Sequence, residues 1–225
     1  MNNSTVLIIF DCDGVLVDSE PITTRVFNGM LAELDIKQSH QETMTRYLGR
    51  TMKSCYDMIQ QEYGITIPQH FPQLFLERCK TEFEKDLKPV RGITDVLQQL
   101  QYQSCVASSG RYEKMNITLG ITGLLPYFNG RIFSAQDVLH GKPAPDIFLH
   151  AASSMNFHPA QCIIVEDSPL GAQAAQAAGM LCVGYAGLTP EQLLAKHTPY
   201  IINNMKQLLP TIELLIKTML SHGRS

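Results

Sequence analysis

The chain has 225 residues, of which 18 are Lys or Arg and 21 Asp or Glu, giving a formal net charge of −3, and 44% are hydrophobic. That size suits one large domain or a core with a modest insertion, and the absence of any basic run argues against a nucleic-acid or anionic-membrane partner. The start, "MNNSTVLIIFDCDG", lacks the charged region and cleavage site of a secretory signal, and no apolar stretch reaches membrane-spanning length, so a soluble cytoplasmic protein is expected.

The first apolar run, Val6–Phe10, reads as a short strand and ends in "DCDG". From about Ser19 to Lys88 no strand pattern follows. Helical patterns occupy Pro21–Leu34, Glu42–Leu48, Lys53–Tyr63 and Pro72–Leu87, with Met52, Tyr56 and Ile59 expected in their core. A helix is expected at Ile93–Leu100, then strands at Ser104–Ala107 and Arg131–Ser134. After them come a helix at Pro145–Met155, a strand at Gln161–Val165, a helix at Leu170–Ala178 closed by Gly179, and a strand at Leu181–Tyr185. The tail offers a short strand at Tyr200–Ile202, a final helix and a polar end expected to fray. Near-continuous apolar strands alternating with helices imply a parallel sheet covered on both faces, an α/β Rossmann-like core of three layers. The helical block implies an inserted α-helical cap, with residues 1–16 and 89–225 forming the core domain and 17–88 the cap. The six cysteines form no Cys-x-x-Cys pair and read as small buried hydrophobes.

In an open α/β sheet, ligands gather beyond the carboxyl ends of the strands. Four polar clusters each follow their own apolar run: "DCDG", "ASSG", "GKPAPD" and "VEDS". Together they would bring the carboxylates of Asp11, Asp13, Glu166 and Asp167 to one rim. Like charges in a partly desolvated site raise each other's pKa, and a hard divalent cation such as Mg²⁺, which prefers oxygen ligands and bridges carboxylates to phosphate, resolves the repulsion. Lys142 adds a second positive charge and Ser108 a hydroxyl. Backbone N–H groups at Cys12, Asp13, Ser109 and Gly110 can form an anion nest. Asp11 can then attack phosphorus to give an aspartyl phosphate, and Asp13, two residues on, can act as acid and then base.

The ordered set "DCDGVLVDSE", "ASSG", "GKPAPDIF" and "VEDSPLGAQAAQAAG" strongly resembles the haloacid dehalogenase superfamily of phosphohydrolases over nearly the whole chain, and within it the β-phosphoglucomutase-like subgroup. That subgroup includes sugar phosphatases, 6-phosphogluconate phosphatases among them. The resemblance implies Asp11 as nucleophile, Asp13 as acid/base, and Ser108 and Lys142 at the phosphate. It implies Mg²⁺ held by Asp11, the Asp13 carbonyl and Asp167, with Glu166 a ligand through water or a supporting partner. A monomer acting on a small phosphate ester is the default for this cap type.

Other readings stand beside these. A calcium loop starting at Asp11 fails because Val15 and Leu16 occupy its fifth and sixth positions. Asp18 and Ser19 precede the first cap helix, and either one is expected as its N-cap. Arg50, with Arg46 and Lys53, is a candidate cap contact for substrate, and Arg111 a candidate for a second anionic group. The alternative function is a phosphosugar mutase of the β-phosphoglucomutase type. Mutases use a cap histidine where this chain carries Thr23, and a cap arginine where it carries Met52, which favours the phosphatase.

Overall fold

The computed structural model describes residues 6–47 and 50–222. Leu48, the last residue of one expected helix, and the last three residues of the polar C-terminal end lie outside them. Six strands form one parallel sheet: β1 (Leu7–Phe10), β2 (Gln103–Ser108), β3 (Ile132–Ser134), β4 (Cys162–Glu166), β5 (Leu181–Tyr185) and β6 (Tyr200–Ile202), in the order β3-β2-β1-β4-β5-β6. The order reverses at β1, whose neighbours β2 and β4 come from opposite halves of the chain. Such a reversal opens a crevice at the carboxyl ends of the central strands.

Alternation along the strands builds the three layers. Ile8 and Phe10 of β1, Val106 of β2, and Ile163 and Val165 of β4 pack toward one face. Leu7, Ile9, Cys105, Ala107, Cys162 and Ile164 pack toward the other. The first face meets α5 (Ile93–Gln99), α6 (Tyr112–Ile121), α7 (Leu125–Phe128) and α11 (Leu208–His222). The second meets α8 (Asp146–Ser154), α9 (Pro169–Ala177) and α10 (Glu191–Leu194). All six cysteines are buried free thiols. Among the described residues no helix is long and apolar enough to cross a membrane.

Among the described residues four helices stand between β1 and α5: α1 (Glu20–Ala32), α2 (His40–Tyr47), α3 (Met52–Tyr63) and α4 (Phe71–Asp86). They close on an aromatic centre in which the Phe27 ring meets those of Tyr47, Tyr56, Phe71 and Phe75. Ile59 is fully buried there, and Tyr56 and Met52 pack against it in part. The chain leaves and re-enters the core side by side: Asp18 N–H donates to Lys88 O, and Val90 N–H to Leu16 O, each at 3.0 Å. We propose this paired crossing, rather than a break in the sheet, as the boundary between cap and core.

Two expectations change. Ser19 does not cap α1: its backbone is helical and its hydroxyl makes no cap bond, because that hydroxyl is drawn to Asp13 instead. Asp18 is exposed at the same turn. Helices α6, α7 and α10 add to the expected set. Tyr112–Ile121 carries apolar residues on two opposite sides, with Met115 and Leu119 buried and Ile121 exposed, so no single stripe marks it.

Candidate active site

The site forms where β1, β2 and β4 end. Asp11 is the first residue beyond β1, and its N–H donates to Val165 O at 2.9 Å. The ladder thus runs one step past the strand and fixes the direction in which the side chain leaves the sheet. Cys12, next in line, turns the other way, toward Thr118. Glu166 closes β4 and Asp167 follows it. Asp11, Glu166 and Asp167 are all buried, and each offers an oxygen within 4.8 Å of the others. Neither member of the Glu166–Asp167 pair points to solvent.

Two glycines make this crowding possible. A Cβ on Gly14, whose φ is +75°, would lie 2.0 Å from Asp167 Oδ2. One on Gly171 would lie 1.7 Å from Glu166 Oε1. Glu166 therefore tucks under the first turn of α9, where Ser168 N–H donates to its Oε2 at 2.6 Å and the amide dipoles point at it. Ser168 in turn caps α9 by accepting from Gly171 N–H at 3.0 Å. Gly14→Ala adds left-handed strain of about 1–2 kcal/mol to the collision with Asp167. We expect a variant melting several degrees lower, checked by thermal unfolding.

Lys142 reaches this cluster from the loop before α8, with its ammonium 4.9 Å from the centre of the Phe148 ring. It donates to Glu166 Oε1 at 2.6 Å and lies 3.0 Å from Asp11 Oδ1. That second contact attracts but is misaligned for a hydrogen bond, and Asp11 Oδ1 is a buried oxygen without a hydrogen-bond partner among the described residues. One cation faces three carboxylates. Burial pushes Asp11 up to about 7 despite Lys142, with Glu166 and Asp13 adding to the rise. Burial raises Asp167 well above the usual carboxylate range, helped by Glu166 and Asp11. For Lys142 burial works against the charge, but Asp11 and Glu166 outweigh it and raise its pKa.

This donor set fits a hard cation. It is all oxygen, short of positive charge, and holds an orphaned buried carboxylate oxygen, as a Mg²⁺ site does.

Asp13 stands apart from the three. Its Oδ1 accepts from Lys114 Nζ at 2.8 Å and from the Ser19 hydroxyl. Burial raises its pKa, but Lys114 and these hydrogen bonds prevail and lower it. Sequence reasoning missed Lys114. The signal available was its place one turn into the segment after "ASSG", where only Arg111 was considered. Arg111 is exposed at the N-cap of α6 and is not among the residues lining the site. Ser108 is buried at the end of β2, and its Oγ accepts from Gly110 N–H at 3.1 Å. The Gly110 amide is thus committed to Ser108, not open as part of the expected nest.

Asp11, Asp13, Ser108, Lys114 and Asp167 line a chamber of about 80 Å³ between cap and core, with Ser109 and Gly110 on the core side. The cap wall includes Glu20, Thr23, Thr24, Thr43, Met44 and Arg50. Of the three basic cap candidates, Lys53 pairs with Asp57 at the surface and Arg46 with Glu62. Arg50 alone lines the chamber, with Nε donating to Arg46 O at 3.1 Å. Met44 and Arg50 also border a neighbouring groove of about 420 Å³ at the seam between cap and core.

With this geometry in view, comparison with known proteins is decisive. The family model described as haloacid dehalogenase-like hydrolase matches residues 8–185. The chain belongs to the haloacid dehalogenase-like hydrolases. It is 33% identical over 174 residues to the 6-phosphogluconate phosphatase of Escherichia coli K12, covering 77% of this chain and 79% of that one. It is 28% identical to the fructose-1-phosphate phosphatase of the same organism, covering 77% and 92%. Among solved structures, a haloacid dehalogenase-like protein of unknown function from Agrobacterium tumefaciens superposes with a TM-score of 0.78 at 33% identity, covering 93% of this chain and 98% of that one. As a member of this family with phosphatases as relatives, the chain is a phosphoric monoester hydrolase.

Proposed function

We propose that this haloacid dehalogenase-like hydrolase is a Mg²⁺-dependent phosphatase of a small sugar or sugar-acid phosphate. The observation that carries the reading is the buried set of Asp11, Glu166 and Asp167 around Lys142, of which Asp11 and Asp167 line one chamber together with Asp13. The E. coli relatives that act on 6-phosphogluconate and fructose 1-phosphate support the substrate class.

In this reading Asp11, Asp167 and, in support, Glu166 hold the cation. When bound it supplies the positive charge that keeps the buried carboxylates ionised and offsets the charge on the phosphoryl oxygens. Lys142 and Ser108 hold the phosphoryl group against Asp11, with the Ser109 backbone beside them. The Asp11 carboxylate attacks phosphorus and forms an aspartyl phosphate as the alcohol leaves. Asp13 gives a proton to the departing oxygen and then takes one from the water that cleaves the intermediate. The pairing with Lys114 favours its ionised form, suited to the second step, and the charge of an incoming phosphate beside it favours the protonated form needed for the first. The cap wall excludes bulk water meanwhile.

The chamber is small, about 80 Å³. A phosphoryl group fills most of that, so a longer leaving group extends past Arg50 toward the seam groove, where its guanidinium can meet a carboxylate. Thr23 at the position of the mutase histidine disfavours transfer to a second hydroxyl. The direct test is a screen of phosphorylated metabolites for released phosphate with and without Mg²⁺. Failure across sugar and sugar-acid phosphates would overturn the substrate class, and full turnover in EDTA the metal.

The metal-free protein has a pH signature of its own. Asp11 rises from 3.8 when unfolded to about 7 when folded. A raised carboxylate contributes stability that is fully present below the unfolded value and is lost as pH climbs through the folded one. For Asp11 alone this is about 4 kcal/mol lost between pH 4 and pH 8. Asp13, with its lowered pKa, works in the opposite sense and offsets part of it. Mg²⁺ should therefore raise the melting temperature far more at pH 8 than at pH 5. Equal shifts at both would show that the cation does not bind at these carboxylates.

A further inference from the structure

Three threonines of the cap line the chamber, and their hydroxyls differ in what they do. Thr24 Oγ1 is engaged with Met44 Sδ at 3.1 Å, and Thr43 Oγ1 with Asn28 Oδ1 at 2.5 Å. Thr23 Oγ1 is buried and has no partner among the described residues. A threonine in a helix has an easy alternative, which is to donate to the carbonyl four residues back. Thr45, Thr81, Thr122 and Thr211 all do so, at 2.7–3.1 Å. Thr23 does not, although its own N–H binds that carbonyl, Ser19 O, at 2.9 Å. A buried hydroxyl left without a partner costs free energy unless something else supplies one.

Glu20 lies three residues earlier on the same helix, so the two side chains sit one turn apart on one face. Glu20 also lines the chamber. Burial and the neighbouring Asp13 raise its pKa to about 7, as befits a carboxyl group inside the enclosure. A carboxyl group and a hydroxyl at this spacing offer acceptors and a donor suited to an alcohol. The core wall of the chamber carries Asp11, Asp13, Ser108 and Asp167, which serve the phosphoryl group, the cation and proton transfer.

We propose that Thr23 and Glu20 read a hydroxyl on the substrate's leaving group, so that the enzyme selects polyol and sugar-acid phosphates over unhydroxylated alkyl phosphates of the same length. This rests on the phosphatase reading above. A substrate lacking the hydroxyl leaves Thr23 unpaired, which is how a polar pocket rejects an apolar analogue.

The test compares kcat/KM for 6-phosphogluconate and glycerol 3-phosphate with that for n-hexyl and n-propyl phosphate, using p-nitrophenyl phosphate as reference. The wild type should favour the hydroxylated esters, and Thr23→Val should cut turnover of its preferred one by about tenfold or more. Alkyl and p-nitrophenyl phosphate turnover should stay within about twofold, and Thr23→Ser should restore the preference. Glu20→Gln should lower the ratio of kcat/KM between hydroxylated and alkyl esters, the same preference that Thr23→Val weakens. Loss of activity on all esters alike in Thr23→Val, an unchanged preference, or no preference in the wild type would overturn the proposal while the phosphatase reading stands. A wild type inert toward p-nitrophenyl phosphate as well as the esters would overturn both.

Discussion

Asp11→Asn is expected to abolish release of phosphate from p-nitrophenyl phosphate, with kcat falling by about 10⁴-fold or more. The amide keeps the size and position of the carboxyl group but cannot attack phosphorus. The backbone anchor to Val165 O does not involve the side chain, so the fold should persist. Removing one of three crowded carboxylates also relieves repulsion with Glu166 and Asp167, while costing Lys142 one of its two partners. The variant should therefore melt within a few degrees of the wild type. Acid-quenched wild type incubated with labelled substrate should carry acid-stable, hydroxylamine-sensitive label, and Asp11→Asn should carry none. Turnover by the variant within a hundredfold of wild type would mean that water, not Asp11, attacks phosphorus.

The reach of the sequence varied with how local the signal was. Strands β1 and β4 were legible as short Ile-rich runs that end in acidic residues, and β2 and β5 as short apolar runs set between helical patterns. Those polar ends then had only one place to meet once the sheet was parallel, which brings Asp11, Glu166, Asp167 and Lys142 together. What the sequence hid was which of several nearby side chains turns inward. Lys114 lies four positions after Gly110, and a helix with apolar residues on two opposite sides gives no phase by which to choose between Arg111 and Lys114. Ser19 carries a good N-cap signature, yet a turn closed by Gly14 N–H to Val17 O brings Asp13 within reach of its hydroxyl. That contact depends on tertiary geometry. Thr23 and Glu20 were obscured for the same reason, since the apolar positions of α1 fix the buried face but not which polar residues border the chamber. Helices α7 and α10 have four residues each, too short for any period to appear.

Lys142→Met should be nearly as damaging as loss of the nucleophile, and it should harm stability as well as turnover. The ammonium sits in a slot floored by Phe148, with only 1% of its side chain exposed, held 2.6 Å from Glu166 and 3.0 Å from Asp11. Methionine fills much of the same volume but leaves both carboxylates without their cation. Breaking a buried pair by removing one partner costs about 3–5 kcal/mol. The α9 N-terminus and the Ser168 amide keep part of the support for Glu166, so the lower end of that range is expected. The loss should be largest in EDTA at pH 8 and smaller in Mg²⁺, because a bound cation replaces the missing charge. Turnover should not recover in parallel. A phosphoryl group without Lys142 loses a charged donor in an enclosed site, worth about 10²–10³-fold in kcat. Lys142→Arg tests shape against charge: a planar guanidinium does not fit a slot built for one compact ammonium, so charge alone should leave activity at least tenfold down. If Lys142→Met kept kcat/KM within tenfold of wild type while melting lower, the lysine would be a counter-ion for the acidic cluster, and the phosphate would be held by the cation and the β2 loop alone.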